Sequence, residues 1–128
     1  MVDPVAGKEV GMLGLAFKPN TNSVTGSSSL CLARDLISKG AKVRAYDPVA
    51  NSQAKAELEA VRYCDSAYAV AEGVDALVVG TGWPEFRDLD FARIKRLLKR
   101  PIIVDTKNLL DGSSLRQMGF QYIGIGRR

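Results

Sequence analysis

The sequence predicts an α/β fold: a three-layer α/β/α domain around a mostly parallel, doubly wound sheet. Three observations predict it. Apolar runs of strand length recur along the chain, beginning with "VGMLGLAF" (10–17). Amphipathic segments of helix length separate them, so the hydrophobic period switches between a continuous run and 3.6. Glycine, proline and serine sit at the borders, where turns and caps need them.

The elements follow in order. The first run is apolar enough to be buried on both faces, as in a central parallel strand. Gly11 and Gly14 lie inside it, where small residues let a helix approach closely. Ser27, Ser28 and Ser29 offer N-cap oxygens to a helix whose Leu30, Ala33, Leu36 and Ile37 share one face. Gly40 follows at the place of a left-handed C-cap. "AKVRAYD" (41–47) alternates as a second strand, and Pro48 leads to a second helix capped by Asn51 or Ser52. "VRYC" (61–64) is a short edge strand, and "DSAYAVAEG" (65–73) is a short helix closed by Gly73. "DALVVGT" (75–81) is another buried strand. Pro84 suits a first helical turn, and Phe91, Ile94, Leu97 and Leu98 make the apolar stripe of a further helix that ends before Pro101. "IIVDTKN" (102–108), "SSLRQMG" (113–119) and "FQYIGIG" (120–126) complete the pattern as strand, short helix and strand. Repeated β-α-β units of this kind are Rossmann-like.

Bulk properties narrow the function. A chain of 128 residues is one domain. Its apolar content of 46% and charged content of 25% are those of a globular protein. The net charge of +4 is scattered; the main cluster, Arg93, Lys95, Arg96, Lys99 and Arg100, reads as a solvated helix face, so no nucleic-acid partner is expected. No apolar run approaches membrane length, the N-terminus lacks a signal pattern, and a cytoplasmic location is expected. Cys31 and Cys64 lack metal spacing and are expected to be buried free thiols. The chain has no histidine, which removes the commonest general base and metal ligand. No metal site is expected.

Ligands of open parallel sheets bind beyond the carboxyl ends of the strands. Four such ends carry polar groups: Phe17-Lys18 with the loop to Gly26, Asp47, Thr81-Gly82-Trp83, and Asp105-Thr106-Lys107-Asn108. The first loop is long and carries no Gly-x-Gly-x-x-Gly or Gly-Lys-Ser, so it is neither a dinucleotide fingerprint nor a Walker loop. A lysine beside a helix start still suits an anion. Asp47 is placed either as a ribose-binding acid or as a turn and cap residue. Trp83 is either a stacking platform or a buried anchor. A phosphoacceptor receiver domain would need an acidic pair where Phe17-Lys18 stands.

"GLAFKPNT" (14–21), "AYDP" (45–48), Trp83-x-x-Phe86, Asp105-x-Lys107-Asn108 and the "GF…GIGR" stretch (119–127) occur in one order. Together they resemble the C-terminal, UDP-binding domain of the UDP-glucose/GDP-mannose dehydrogenases, most closely the UDP-glucose 6-dehydrogenase branch. The resemblance covers nearly the whole chain and implies a domain over 7–128, with residues 1–6 a linker remnant. It implies an NAD-dependent enzyme that oxidises UDP-glucose to UDP-glucuronate in two hydride transfers. NAD, the catalytic cysteine and the dimer core would belong to N-terminal and central domains, the expected partners of this one. Neither Cys31 nor Cys64 has the catalytic cysteine's neighbours, so no catalytic residue and no bound cofactor is expected in this chain alone.

The resemblance also implies which residues touch the UDP-sugar. Phe17 and Lys18 match the family's Phe-Lys pair. Lys107 stands where the family usually has arginine, which keeps the charge and loses the bidentate fork. The loop departs further. Asn22, Ser23 and Thr25 stand where the family has two acids and an arginine that reaches the NAD domain. The alternative reading is therefore a non-catalytic interaction module that kept the fold and lost the ligand site.

Overall fold

The computed structural model describes residues 7–16 and 27–124. The strands are β1 (Glu9–Leu13), β2 (Lys42–Tyr46), β3 (Arg62–Tyr63), β4 (Ala76–Val79), β5 (Ile102–Asp105) and β6 (Gln121–Gly124). The helices are α1 (Ser28–Ser38), α2 (Asn51–Glu57), α3 (Ala67–Ala71), α4 (Phe91–Leu97) and α5 (Gly112–Gln117), with a 3₁₀ turn at Pro84–Asp88. One six-stranded sheet runs β3-β2-β1-β4-β5-β6. Every pairing is parallel. Among the described residues the sheet is thus wholly parallel, and β3 lies at an edge as its shortness predicts. The order reverses at β1 and β4, the switch point of a doubly wound fold.

Helices cover the sheet by the handedness of its crossovers. On one face Leu30 and Ala33 of α1 and Ala54 of α2 pack on Met12, Val43, Ala45 and Val78. On the other, Val70, Phe86, Ile94 and Leu115 pack on Leu13, Leu77, Val79, Ile103 and Tyr122. Phe86, Met12, Leu77, Ile94 and Ile103 are fully buried, each worth about 1.5–3 kcal/mol relative to exposure. Gly11 does what its place in the run predicts: a Cβ there would lie 2.6 Å from Val70 Cγ1, so α3 packs directly on the bare backbone of β1.

Several boundaries are tighter than the apolar runs imply, each for a local reason. β1 stops before Gly14, which takes φ +97°. A Cβ at Gly14 would lie 2.5 Å from Thr81 Cβ, so only glycine lets the chain leave the ladder there. β5 stops at Asp105 because its own carboxylate takes the Lys107 N–H. α2 is not capped by Asn51 or Ser52: its N-cap is Ala50, and Asn51 is already helical, its amide oxygen accepting from Asp47 N. Cys31 is exposed on the outer side of α1 rather than buried, and Cys64 is half-buried, its thiol pushed up by burial. Ser27 is the serine that caps α1, accepting from Leu30 N, and Gly40 ends the helix region at φ +92°. The basic cluster is a solvated face, with Arg93 over the Tyr68 ring and Lys95 donating to Met118 O.

Candidate nucleotide-binding edge

All four polar strand ends fall on the carboxyl edge of the sheet. The first leads to Phe17 and Lys18, which lie outside the described residues, as do Asn22, Ser23, Thr25 and Gly26. Their stem, Leu15-Ala16, is held from three elements. Asp47 Oδ2 accepts from Leu15 N at 2.8 Å and Ala16 N at 2.9 Å. Thr81 Oγ1 donates to Ala16 O at 2.8 Å, and Ser27 Oγ donates to Leu15 O at 2.8 Å. Both backbone donors and both acceptors of the stem are therefore satisfied by side chains from the ends of β2 and β4 and the start of α1. Ser29, in the first turn of α1, serves the fold: its Oγ donates to Gly80 O at 3.0 Å.

Asp47 is the centre of this edge. It is 2% exposed. Besides Leu15 and Ala16, its Oδ2 accepts from Trp83 Nε1 at 3.0 Å. Its Oδ1 accepts from Val49 N and Ala50 N, both at 2.9 Å. A carboxylate offers about four lone-pair sites, and five N–H groups already converge here. Nothing remains for a ribose hydroxyl, so the turn and cap role is the one Asp47 performs. Trp83 is likewise an anchor, buried with its indole N–H spent on Asp47. The described residues at this end of β2 do not fit the ribose of a dinucleotide.

The β5 end is built on the same plan. Asp105 is fully buried, and its Oδ1 accepts from Lys107 N at 3.0 Å. Thr106 bridges to β4: its N and its Oγ1 donate to Val79 O at 3.1 and 2.7 Å. Lys107 is exposed, and the next residue, Asn108, takes φ +53°, a conformation asparagine tolerates. Beside the edge, Tyr46 donates to Glu85 Oε2 at 3.2 Å. Burial, then the Glu85 carboxylate, push the Tyr46 phenol up to about 12. Among the described residues no acidic or sulfur cluster could hold a metal ion, and no helix is long and apolar enough to cross a membrane.

The four polar strand ends are those that the sequence marks, and Lys107 is exposed at the last of them. The motifs do not mark two supports: Thr81 holds the first end through Ala16 O, and the Tyr122 hydroxyl holds the last by donating to Asp105 Oδ2. A tyrosine on the inward face of an alternating strand is a signal for the second, because a buried hydroxyl needs a partner.

Comparison with known proteins agrees with this architecture. A family model described as "UDP-glucose/GDP-mannose dehydrogenase family, UDP binding domain" matches residues 11–112. UDP-glucose 6-dehydrogenase TuaD of Bacillus subtilis is 42% identical over 124 residues, 96% of this chain and 27% of that protein. UDP-glucose 6-dehydrogenase of Pseudomonas aeruginosa is 42% identical over 127 residues, 94% of this chain and 28% of that protein. The chain therefore spans less than a third of the length of these relatives. Among solved structures, a UDP-glucose dehydrogenase from Pyrobaculum islandicum superposes with a TM-score of 0.78 at 33% identity, covering 94% of this chain and 26% of that one. An NDP-N-acetyl-D-galactosaminuronic acid dehydrogenase from Methanosarcina mazei superposes at 0.83 with 28% identity, covering 97% and 26%. The parallel sheet, the strand-end motifs in their order and these matches place the chain in the UDP-glucose/GDP-mannose dehydrogenase family, as its UDP-binding domain.

Proposed function

We propose that this chain binds a UDP-sugar at the carboxyl edge of its sheet, through Phe17, Lys18 and Lys107. It would do so as the domain over 7–128 of a UDP-glucose 6-dehydrogenase that uses NAD. The observation that supports this most is the 42% identity to two such enzymes across nearly the whole chain. Chemistry at the edge agrees with it. A diphosphate needs cationic donors on fixed backbone, and Lys107 follows a buried carboxylate that holds its amide. Each hydrogen bond to a charged group contributes about 1.5–3 kcal/mol. Such contacts must also offset the cost of association and of ordering the lysine side chains, so weak binding is expected, on the order of a millimolar, which corresponds to about 4 kcal/mol. NAD would supply the hydride acceptor of that enzyme. The residues that hold it, and the catalytic cysteine, belong to the other domains, and this chain supplies the grip on the nucleotide. Isothermal titration with UDP and UDP-glucose checks the reading: saturable heat is expected, weakened by salt and by Lys107→Ala. Absence of heat at millimolar ligand would overturn it.

One observation favours the second reading, a module that kept the fold without the site. Asn22, Ser23 and Thr25 carry none of the charges that the family motif has in this loop. That reading expects UDP to leave the melting temperature unchanged, and a rise of several degrees with UDP would remove it.

A further inference from the structure

We propose that Tyr122 and Asp105 are positioning residues for Lys107, with Gly112 admitting the tyrosine ring; this rests on Lys107 being a contact for UDP. Asp105 closes the loop that carries Lys107 at both of its ends. Its Oδ1 accepts from Lys107 N at 3.0 Å, and its Oδ2 accepts from Leu110 N at 2.8 Å. The arc between them holds Asn108 in the left-handed region at φ +53°. One carboxylate thus sets the entry and exit of the turn.

Tyr122 fixes that carboxylate from the neighbouring strand. Its hydroxyl donates to Asp105 Oδ2 at 2.9 Å. The pairing of β5 with β6 sets Ile103 opposite Tyr122, so the ring crosses toward the strand end two residues on. Tyr122 is 4% exposed. Its ring lies against the first residue of α5: a Cβ at Gly112 would be 2.6 Å from Cε2 and 2.7 Å from Cδ2. No residue with a side chain fits at 112 without displacing the ring, and with it the hydroxyl. Arg116 completes the seat, its guanidinium carbon 5.3 Å from the ring centroid and Nη2 donating to Tyr122 O at 3.2 Å. Together with the Thr106 bonds to Val79 O, this holds the Lys107 backbone from β4, β5 and β6.

A lysine side chain is long and rotamer-rich, and ordering it on binding opposes affinity. A fixed Cα removes the backbone share of that cost. Tyr122 therefore acts through Lys107 rather than on the ligand, which makes a coupling measurable. The experiment is a titration with UDP of the wild-type chain, Tyr122→Phe, Lys107→Ala and the double variant, below the melting temperature of all four. Tyr122→Phe is expected to weaken UDP about fivefold, less than Lys107→Ala does, because it removes only part of what Lys107 contributes. In the Lys107→Ala background the same change is expected to cost nothing further. Gly112→Ala, which moves the ring and keeps the hydroxyl, is expected to weaken UDP in the same non-additive way. A purely structural Tyr122 would lower the melting temperature and leave the affinity of the folded protein unchanged. That result, or equal losses in both backgrounds, overturns the inference while leaving UDP binding intact. A wild-type chain that binds no UDP overturns the binding reading itself, and this inference with it.

Discussion

Asp47 shows how much one side chain decides at this edge. Five N–H groups from β1's exit, the β2–α2 turn and Trp83 end on its two oxygens. Replacing it by asparagine keeps the shape and removes one acceptor oxygen. The new amide then points N–H groups at N–H groups inside a buried site. Leaving buried donors unpaired costs about 1–3 kcal/mol each, and neighbours do not add fully. Asp47→Asn is therefore expected to lower unfolding stability by about 3 kcal/mol in urea at neutral pH. Asp88→Asn, at an exposed position of the 3₁₀ turn, is expected to change it by less than about 0.5 kcal/mol. Equal effects at the two positions would mean that the Asp47 network does not hold the edge.

At the scale of elements, titration of two tyrosines reports on β2 and β3. Tyr46 ends β2, and Tyr63 ends β3, where its hydroxyl donates to Leu58 O at 2.6 Å. Burial pushes both phenols from 10.0 to about 12, with Glu85 adding to it at Tyr46 and Arg34 opposing it at Tyr63. The fold therefore favours the neutral phenol. The stability this contributes is fully present below pH 10 and is lost as pH climbs from 10 through about 12. Urea midpoints measured across that window are expected to fall, and to fall less steeply in Tyr63→Phe. An unchanged slope would place the Tyr63 hydroxyl in water.

The elements themselves were legible because their signals are local. The 10–17 run, the serines before α1, Gly40, Pro84 and the Phe91–Leu98 stripe each mark an element that exists. Strand ends were less legible, since Gly14 and Asp105 end their strands through contacts with Thr81 and with a backbone N–H two residues on. The direction of polar groups at the edge was only half legible: a turn and cap role for Asp47 and an anchor role for Trp83 stood among the alternatives, but nothing local chose between them and a ligand role. Asp47, Asp105 and Lys107 give the same signal in a sequence, a polar residue at a strand end. Only the packed sheet turns the two aspartates inward and leaves Lys107 exposed. Both aspartates accept from the N–H two residues later, the habit of an Asx turn, and that spacing is the one hint available beforehand.

For the molecule as a whole, the fold and the chemistry point to the same edge. A doubly wound sheet sets β1 beside β4 at its switch point with β5 next in line; Thr81 ties the end of β4 to β1's exit, Thr106 ties β5 to β4, and Ser29 ties α1 to β4. Those bonds fix the described strand ends of the carboxyl edge, beside which Lys107 is exposed. The amino edge, near Gly7, Asp75 and Arg100, is instead occupied by ion pairs of Asp75 with Lys99 and Arg100. The most direct test is a two-dimensional amide NMR titration with UDP. Saturable shifts are predicted at Leu15, Ala16, Thr81, Lys107 and Asn108, with Gly7, Val74 and Asp75 unmoved. Shifts confined to the amino edge, or none at millimolar UDP, would contradict the assignment of the carboxyl edge as the nucleotide site.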